Sequence, residues 1–382
     1  MNPSFELSFV GELTRRLREK APLIQVILGP RQVGKTTGIL QSLSKLKQTS
    51  HYVSADDLLS PQSLWILEQW QAAKLKSNHA ILVIDEIQKI PQWSETIKKL
   101  WDEQKRKKDS SLKIVLLGSS SLSLQKGLTE SLTGRFELLR VRHWNYHESK
   151  QIAKMTLAQY LRFGGYPGSY SYLKDILRWK KFIKDSVVET VIGKDILLFS
   201  RVRSPSLFHQ AFEILCAYPA QEISYNKLLG QLQEKGNVDL IKHYIDLYAG
   251  AYLLKPLEKY SHKMVIKKSS SPKMLPLCPA LVQFAKPEVA ESEGRLFELA
   301  VGLELERLPG ELTYWRQGNA EVDYIYQEDG VVFAIEVKSG RKKNTTGLQT
   351  FLKQFKKAVP IILTPEHFEP FSAEGRRFLD RF

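Results

Sequence analysis

The chain has 382 residues, 43% hydrophobic and 25% charged, the balance of a soluble globular protein long enough for two or three domains. Its 56 Lys+Arg against 41 Asp+Glu leave a net charge of +15, which favours polyanionic partners. Two cysteines, Cys216 and Cys278, exclude a disulfide framework, and no run approaches the roughly 20 apolar residues of a membrane span.

The opening "MNPSFELSFVGELTRRLREK" lacks the basic-then-apolar order of a secretory signal, so a cytoplasmic protein with no membrane partner is expected. Over residues 1–150 apolar strands alternate with helical patterns, the mark of a parallel α/β sheet. The strands read as "LIQVILG" (23–29), "HYVSA" (51–55), "AILVID" (80–85), "KIVLLG" (113–118) and "ELLRV" (137–141).

"GPRQVGKT" follows the first strand and fits GxxxxGK[ST], with the helical "TTGILQSLSKL" after it. In that context Gly29, Pro30, Arg31, Gln32, Val33, Gly34, Lys35, Thr36 and Thr37 form a phosphate loop. Its backbone N–H groups and the helix dipole meet an anion, Lys35 reaches the β/γ-phosphates, and Thr36 ligates Mg²⁺. "AILVIDE" supplies the complement: Asp85 at the strand tip holds the Mg²⁺, and Glu86 orients and deprotonates the attacking water. ATP and Mg²⁺ are therefore the expected ligands. Ser119 or Ser120, at the end of "KIVLLGSSS", is a candidate γ-phosphate sensor. Arg135 in "SLTGRFELL" is a candidate cationic finger, acting in cis or from a neighbouring copy of the chain.

Residues 151–205 read as helical with a break at "FGGYPGS", and 206–275 as three short helices and a hairpin. That hairpin lies in 255–273, which holds six lysines and one glutamate; 338–357 holds seven basic residues and no acid. Each run is either a polyanion-binding face or a solvated lysine surface. The region 276–382 begins helical and continues strand, strand, strand, helix, strand. In "EVDYIYQEDGVVFAIEVKSG" the pair Asp329-Gly330 predicts a two-residue hairpin turn. Glu328 then faces Val331 and Asp323 faces Glu336. Period two places Asp323, Glu336 and Lys338 on one face, and Val322, Tyr324, Tyr326, Phe333, Ile335 and Val337 on an apolar face.

"GPRQVGKTT", "VIDEIQKIPQW", "LLGSSS", "LTGRFELLRV", "YLRFGGYPGSY" and "AIEVKSG" together resemble prokaryotic AAA-type ATPases whose second half is a domain of unknown function, DUF4143. The resemblance covers nearly the whole chain. It implies an α/β P-loop NTPase (ASCE/AAA-like) domain at 1–150, a helical linker or lid at 151–205, a winged helix at 206–275 and a restriction-endonuclease-like domain at 276–382. "HWNYHE" (143–148) departs from the family pattern at the link between the first and middle parts.

From the residues upward, "EISYNKLLGQL" and "NVDLIKHYIDLYAGAYLL" give two amphipathic helices in helix-turn-helix order, with Lys242, His243 and the hairpin lysines as phosphate contacts if the segment binds DNA. Asp323, Glu336 and Lys338 match the PD-(D/E)xK nuclease arrangement, and Glu298 matches the family's upstream acid. Glu298, Asp323 and Glu336 are thus candidate metal ligands, since carboxylates facing across strands repel unless a cation lies between them. Glu336 and Lys338 are candidate catalytic residues; the alternative is a cross-hairpin salt bridge. The function expected is an ATPase coupled to a nucleic-acid-binding, Mg²⁺-dependent nuclease module. The alternative is an ATP-operated switch that binds DNA or a protein partner without cutting, with self-association of the chain also open.

Overall fold

A computed structural model describes residues 5–20, 23–107, 111–118, 121–198, 200, 202–232, 237–261, 270–285, 293–340 and 345–382. The sensor candidates Ser119 and Ser120 and residues 262–269 of the expected lysine hairpin lie outside them. The chain divides into two compact units. One is Met1–Arg142 with Gly193–Ser200, and the other is His143–Ile192 with Arg201–Phe382.

The first unit is built on five parallel strands: β1 (Ile24–Leu28), β2 (Ser50–Ser54), β3 (Ile81–Asp85), β4 (Lys113–Gly118) and β5 (Phe136–Arg140). Their order is β2-β3-β4-β1-β5. Every residue of β1, β3 and β4 is buried, which explains why these strands read as unbroken apolar runs rather than alternating ones. β4 lies between the strand that feeds the phosphate loop and the strand that ends in Asp85. All five carboxyl ends share one edge, where ligands of open α/β sheets bind.

Gly29 closes β1 against the chain leaving β5. A Cβ there would stand 2.5 Å from the Val141 carbonyl oxygen, a backbone atom that cannot swing aside. Gly29→Ala is therefore expected to cost about 1–3 kcal/mol. Differential scanning calorimetry would show this as a melting midpoint lowered by several degrees, and an unchanged midpoint would refute the close-approach argument.

The second unit opens with the helix Tyr146–Ala153. "HWNYHE" forms its start: the Asn145 side chain accepts from the Glu148 N–H and the Glu148 carboxylate from the Asn145 N–H. The helices Pro205–Cys216, Tyr225–Leu229 and Val238–Gly250 follow, with a small antiparallel sheet of β6 (Gln221–Glu222), β7 (Leu254–Leu257) and β8 (Lys273–Pro276) in the order β6-β8-β7. A four-stranded mixed sheet comes last: β9 (Glu311–Gln317), β10 (Ala320–Glu328), β11 (Val331–Val337) and β12 (Val359–Leu363), in the order β12-β11-β10-β9.

The Asp329-Gly330 turn has positive φ at both residues and sets Glu328 opposite Val331, the register predicted. Tyr324, Tyr326, Phe333, Ile335 and Val337 are buried on one face, where the Tyr324 hydroxyl donates to the Glu298 carbonyl of the helix Glu293–Arg307. Val322 departs from the expected face. Pairing with β9 shifts register between Val322 and Ile325, and Val322 joins a second apolar cluster with Trp315, Ile325, Ala334, Leu348 and Phe351. The helix Thr346–Gln354 supplies the last two, so apolar packing covers both faces of the sheet.

Candidate functional site

Strand, loop and helix place the phosphate loop as the sequence predicts. β1 ends at Leu28, Gly34 takes a left-handed φ of 88°, and the helix Lys35–Ser44 starts directly after it. Lys35 is buried, and its Nζ donates to the carbonyl oxygens of Gly29 (2.9 Å) and Pro30 (2.7 Å). Burial lowers the Lys35 ammonium to about 8, with Glu86 and Asp85 opposing the shift. Thr36 Oγ1 donates to Asp85 Oδ2 at 3.0 Å, which brings the hydroxyl and carboxylate expected to hold Mg²⁺ to one point. The donor set of a hydroxyl and a carboxylate suits a hard divalent cation carrying several waters, so these residues fit the group. When bound, the ion supplies charge neutralisation at the phosphates.

Two neighbours missing from the sequence reading complete this edge. Tyr52, on β2, donates its hydroxyl to Asp85 Oδ2 at 2.6 Å, and burial together with Asp85 raises its pKa, keeping the phenol protonated. Gln88 donates Nε2 to Glu86 Oε2. Glu86 has a left-handed φ of 51°, and its N–H donates to Asp85 Oδ1 at 2.8 Å. Neither Tyr52 nor Gln88 carries a motif. Only the parallel pairing of β2 with β3, which sets Ser54 against Asp85, brings Tyr52 to the site.

Arg135 is elsewhere. It immediately precedes β5, whose Phe136 pairs with Ile24 at the amino edge of β1. At about 3.3 Å per residue this is roughly 20 Å from the loop. Its guanidinium grips Asp102 instead, Nε to Oδ1 at 2.8 Å and Nη2 to Oδ2 at 3.0 Å. Arg135 therefore stands away from the phosphate loop of its own chain, and of its two expected roles this geometry bears only on the one in cis.

In the second unit the carboxylates gather differently from the expected set. Glu298, Glu321 and Asp323 offer oxygens within 4.8 Å of one another, so Glu321 takes the place foreseen for Glu336. Glu336 Oε1 accepts from Lys338 Nζ at 2.5 Å, an ion pair between residues two apart at the end of β11 rather than one across the hairpin. Its Oε2 is buried with no hydrogen-bond partner among the described residues, and burial together with Asp323 pushes the carboxyl up to about 7.

A cation already sits among the three acids: Lys273, from β8. Its Nζ is 2.6 Å from Glu298 Oε1, 3.8 Å from Glu321 Oε1 and 3.9 Å from Asp323 Oδ1, and it donates to the Asp323 carbonyl at 3.0 Å. The side chain is 1% exposed. Burial alone would lower its pKa, but Glu298 and Asp323 outweigh that and raise it. The other oxygens are engaged too: Arg295 meets Glu298 Oε2 at 2.7 Å, and Asp323 Oδ2 accepts from the Val337 N–H at 2.8 Å. With Lys273 in place these residues do not fit a resident divalent ion. Sequence reading missed Lys273 because it closes the lysine run 255–273 and looked like one more surface lysine.

A phosphate loop on β1, an acidic tip on β3 and a strand inserted between them define a P-loop ATPase of the AAA type. Comparison with known proteins agrees: residues 21–150 match an AAA domain, 154–285 a domain of unknown function (DUF8612) and 293–375 a domain of unknown function (DUF4143). The chain belongs to the AAA-type P-loop ATPases with a C-terminal DUF4143 region. It is similar to the uncharacterized protein MJ1544 of Methanocaldococcus jannaschii, 28% identical over 363 residues that cover 88% of this chain and 78% of that one. It is likewise similar to the uncharacterized protein Rv2008c of Mycobacterium tuberculosis, 27% identical over 340 residues, 85% of this chain and 72% of the other. Among solved structures, the Walker-type ATPase PABY2304 of Pyrococcus abyssi is 18% identical with a TM-score of 0.47, covering 72% of this chain and 94% of that chain. No helix among the described residues is long and apolar enough to cross a membrane.

Proposed function

We propose that this chain hydrolyses ATP and uses nucleotide state to govern how its second unit engages nucleic acid, without cutting it. The observation that carries the ATPase reading is the convergence of Lys35, Thr36, Asp85 and Glu86 at one edge of the sheet. Lys35 meets phosphate charge, Thr36 and Asp85 hold Mg²⁺, and Glu86 takes the proton of the attacking water. We assign the chain four modules: the ATPase at 1–150, a helical linker at 151–205, a winged helix at 206–275 and a nuclease-like fold at 276–382.

Three helices with a small antiparallel sheet follow the order of a winged helix, and the net charge of +15 favours a polyanion. The helix Val238–Gly250 presents Asp239, Lys242, His243 and Asp246 to solvent, a mixed set, so charge elsewhere on the unit must supply much of the attraction. Lys273 favours the non-cutting switch over the nuclease. It fills the place a catalytic ion would need.

The test uses the full-length protein with linear, circular and single-stranded DNA, a salt series, and Mg²⁺ or Mn²⁺ with and without ATP. Expected are DNA binding that weakens steeply with salt, a shift in DNA affinity with a non-hydrolysable ATP analogue, and no cleavage. Cleavage that disappears in Glu336→Ala and Lys338→Ala would restore the nuclease reading. ATP turnover with no DNA binding at any salt would leave a protein partner as the thing switched.

A further inference from the structure

The nucleotide reading leaves one strong interaction unused. Arg31 lies inside the phosphate loop, four residues before Lys35, and Asp195 clamps its guanidinium edge-on. Nε donates to Oδ2 and Nη2 to Oδ1, both at 2.7 Å. The Asp195 side chain is 5% exposed and that of Arg31 is 26% exposed. Asp195 comes from the π-helical stretch Val191–Leu197, more than 160 positions along the chain. Gly193–Ser200 folds with the first unit although the residues on both sides of it fold with the second. The chain thus returns to the first unit for eight residues and sets a buried carboxylate on the phosphate loop.

We infer that Arg31 is the guanidinium this chain supplies to the terminal phosphate of its own nucleotide, and that Asp195 is the positioning residue that aims it. This rests on the ATPase reading above. A guanidinium has five N–H donors in a rigid planar fork. Asp195 takes the Nε edge, one donor from Nε and one from Nη2. Both Nη1 donors and the second Nη2 donor face the other way, and their direction is fixed because the plane is fixed. A carboxylate held along one edge therefore turns a flexible arginine into an oriented phosphate ligand, which is what transition-state charge on a phosphoryl group requires.

The loop's charge points the same way. Lys35 and Arg31 are two cations within one short, half-buried loop, and the charge of Arg31 reaches Lys35. Asp195 offsets one of these charges through a single edge of the guanidinium, while Asp85 and Glu86 are the acids assigned to Mg²⁺ and the attacking water. The location of Arg135 adds an independent reason. The other arginine that the sequence offers for this role stands at the opposite edge of the sheet, bound to Asp102. Asp195 carries no sequence signal, since "VIGKDILLFS" reads only as helix.

The test compares binding of ADP and of a non-hydrolysable ATP analogue, by displacement of a fluorescent nucleotide from the full-length protein, alongside turnover. Arg31→Ala is expected to weaken the analogue by about 10- to 100-fold while ADP changes by less than about threefold, and to lower kcat by roughly 100-fold or more. Arg31→Lys should not restore the preference, because an ammonium is a point charge without the fork. Asp195→Asn should lose part of the same discrimination. The double variant should be no worse than Arg31→Ala alone, the signature of a residue acting through its partner.

If the pair is only a clasp for the segment 193–200, Arg31→Ala will lower the melting temperature yet keep the wild-type preference for the analogue over ADP, and the inference fails. If the wild-type protein binds neither nucleotide, the ATPase reading fails and takes this inference with it. The two failures are distinct.

Discussion

Replacing Lys273 with alanine is expected to destabilise the second unit by about 3–5 kcal/mol, because it leaves buried carboxylates without their counter-cation. Glu298 and Asp323 are the ones most affected, with side chains 9% and 14% exposed and Lys273 itself at 1%. Lys273→Met separates charge from volume, since methionine fills most of the space and supplies no positive charge. A loss as large in Lys273→Met as in Lys273→Ala assigns the effect to electrostatics. Amide hydrogen exchange in peptides spanning β10 and β11 reads the change locally. Millimolar Mn²⁺ should then restore protection in either variant, because Glu298, Glu321 and Asp323 become an oxygen cluster of metal-binding size once the ammonium is gone. The wild type should gain nothing from Mn²⁺. Protection of the wild type by Mn²⁺ to the same degree would show that metal and Lys273 coexist, and would return the centre to the metal-dependent class.

The contrast between the two centres shows what a sequence can carry. The phosphate loop was legible because its parts are contiguous: strand, glycine turn, lysine and helix follow one another, and Asp85 and Glu86 end a strand whose composition announces its burial. The hairpin at Asp329-Gly330 was legible for the same reason, since two adjacent residues fix the register of two strands. What was not legible were relations between distant segments that no motif links. Lys273 reaches the acids by pairing of β8 with β6 and β7, Asp195 by a stretch that leaves one unit for the other, and Tyr52 by the parallel register of β2 on β3. Val322 changed face because a bulge against β9 adds a residue to one strand, and strict alternation has no way to express that. The cis role of Arg135 was illegible for a similar reason: position along a strand separates the binding edge of a parallel sheet from the opposite edge.

Nucleotide affinity should fall above pH 8, and Lys35→Ala should remove both the affinity and that dependence. The Lys35 ammonium is lowered to about 8 because burial disfavours its charge, and Glu86 and Asp85 only partly compensate. A triphosphate binds the charged form. Below pH 8 that form already predominates, so affinity is flat with pH. Above pH 8 the amine must first take up a proton, and each further pH unit weakens binding by about tenfold, or 1.36 kcal/mol. The terminal phosphate does not confuse the profile, since its last ionisation is complete well below this range, near pH 6 to 7. Calorimetric titration in two buffers of different ionisation enthalpy measures the proton directly. Uptake of a fraction of a proton at pH 8, rising toward one at pH 9, is the expected result. Lys35→Ala should bind ATP at least about 100-fold more weakly, with no proton uptake and no turnover, because a buried phosphate then lacks a charge-assisted partner. A wild-type affinity that stays level to pH 10 would mean that Lys35 keeps its proton throughout. Its contacts with the Gly29 and Pro30 carbonyls would then offset burial more fully than the shift to about 8 implies.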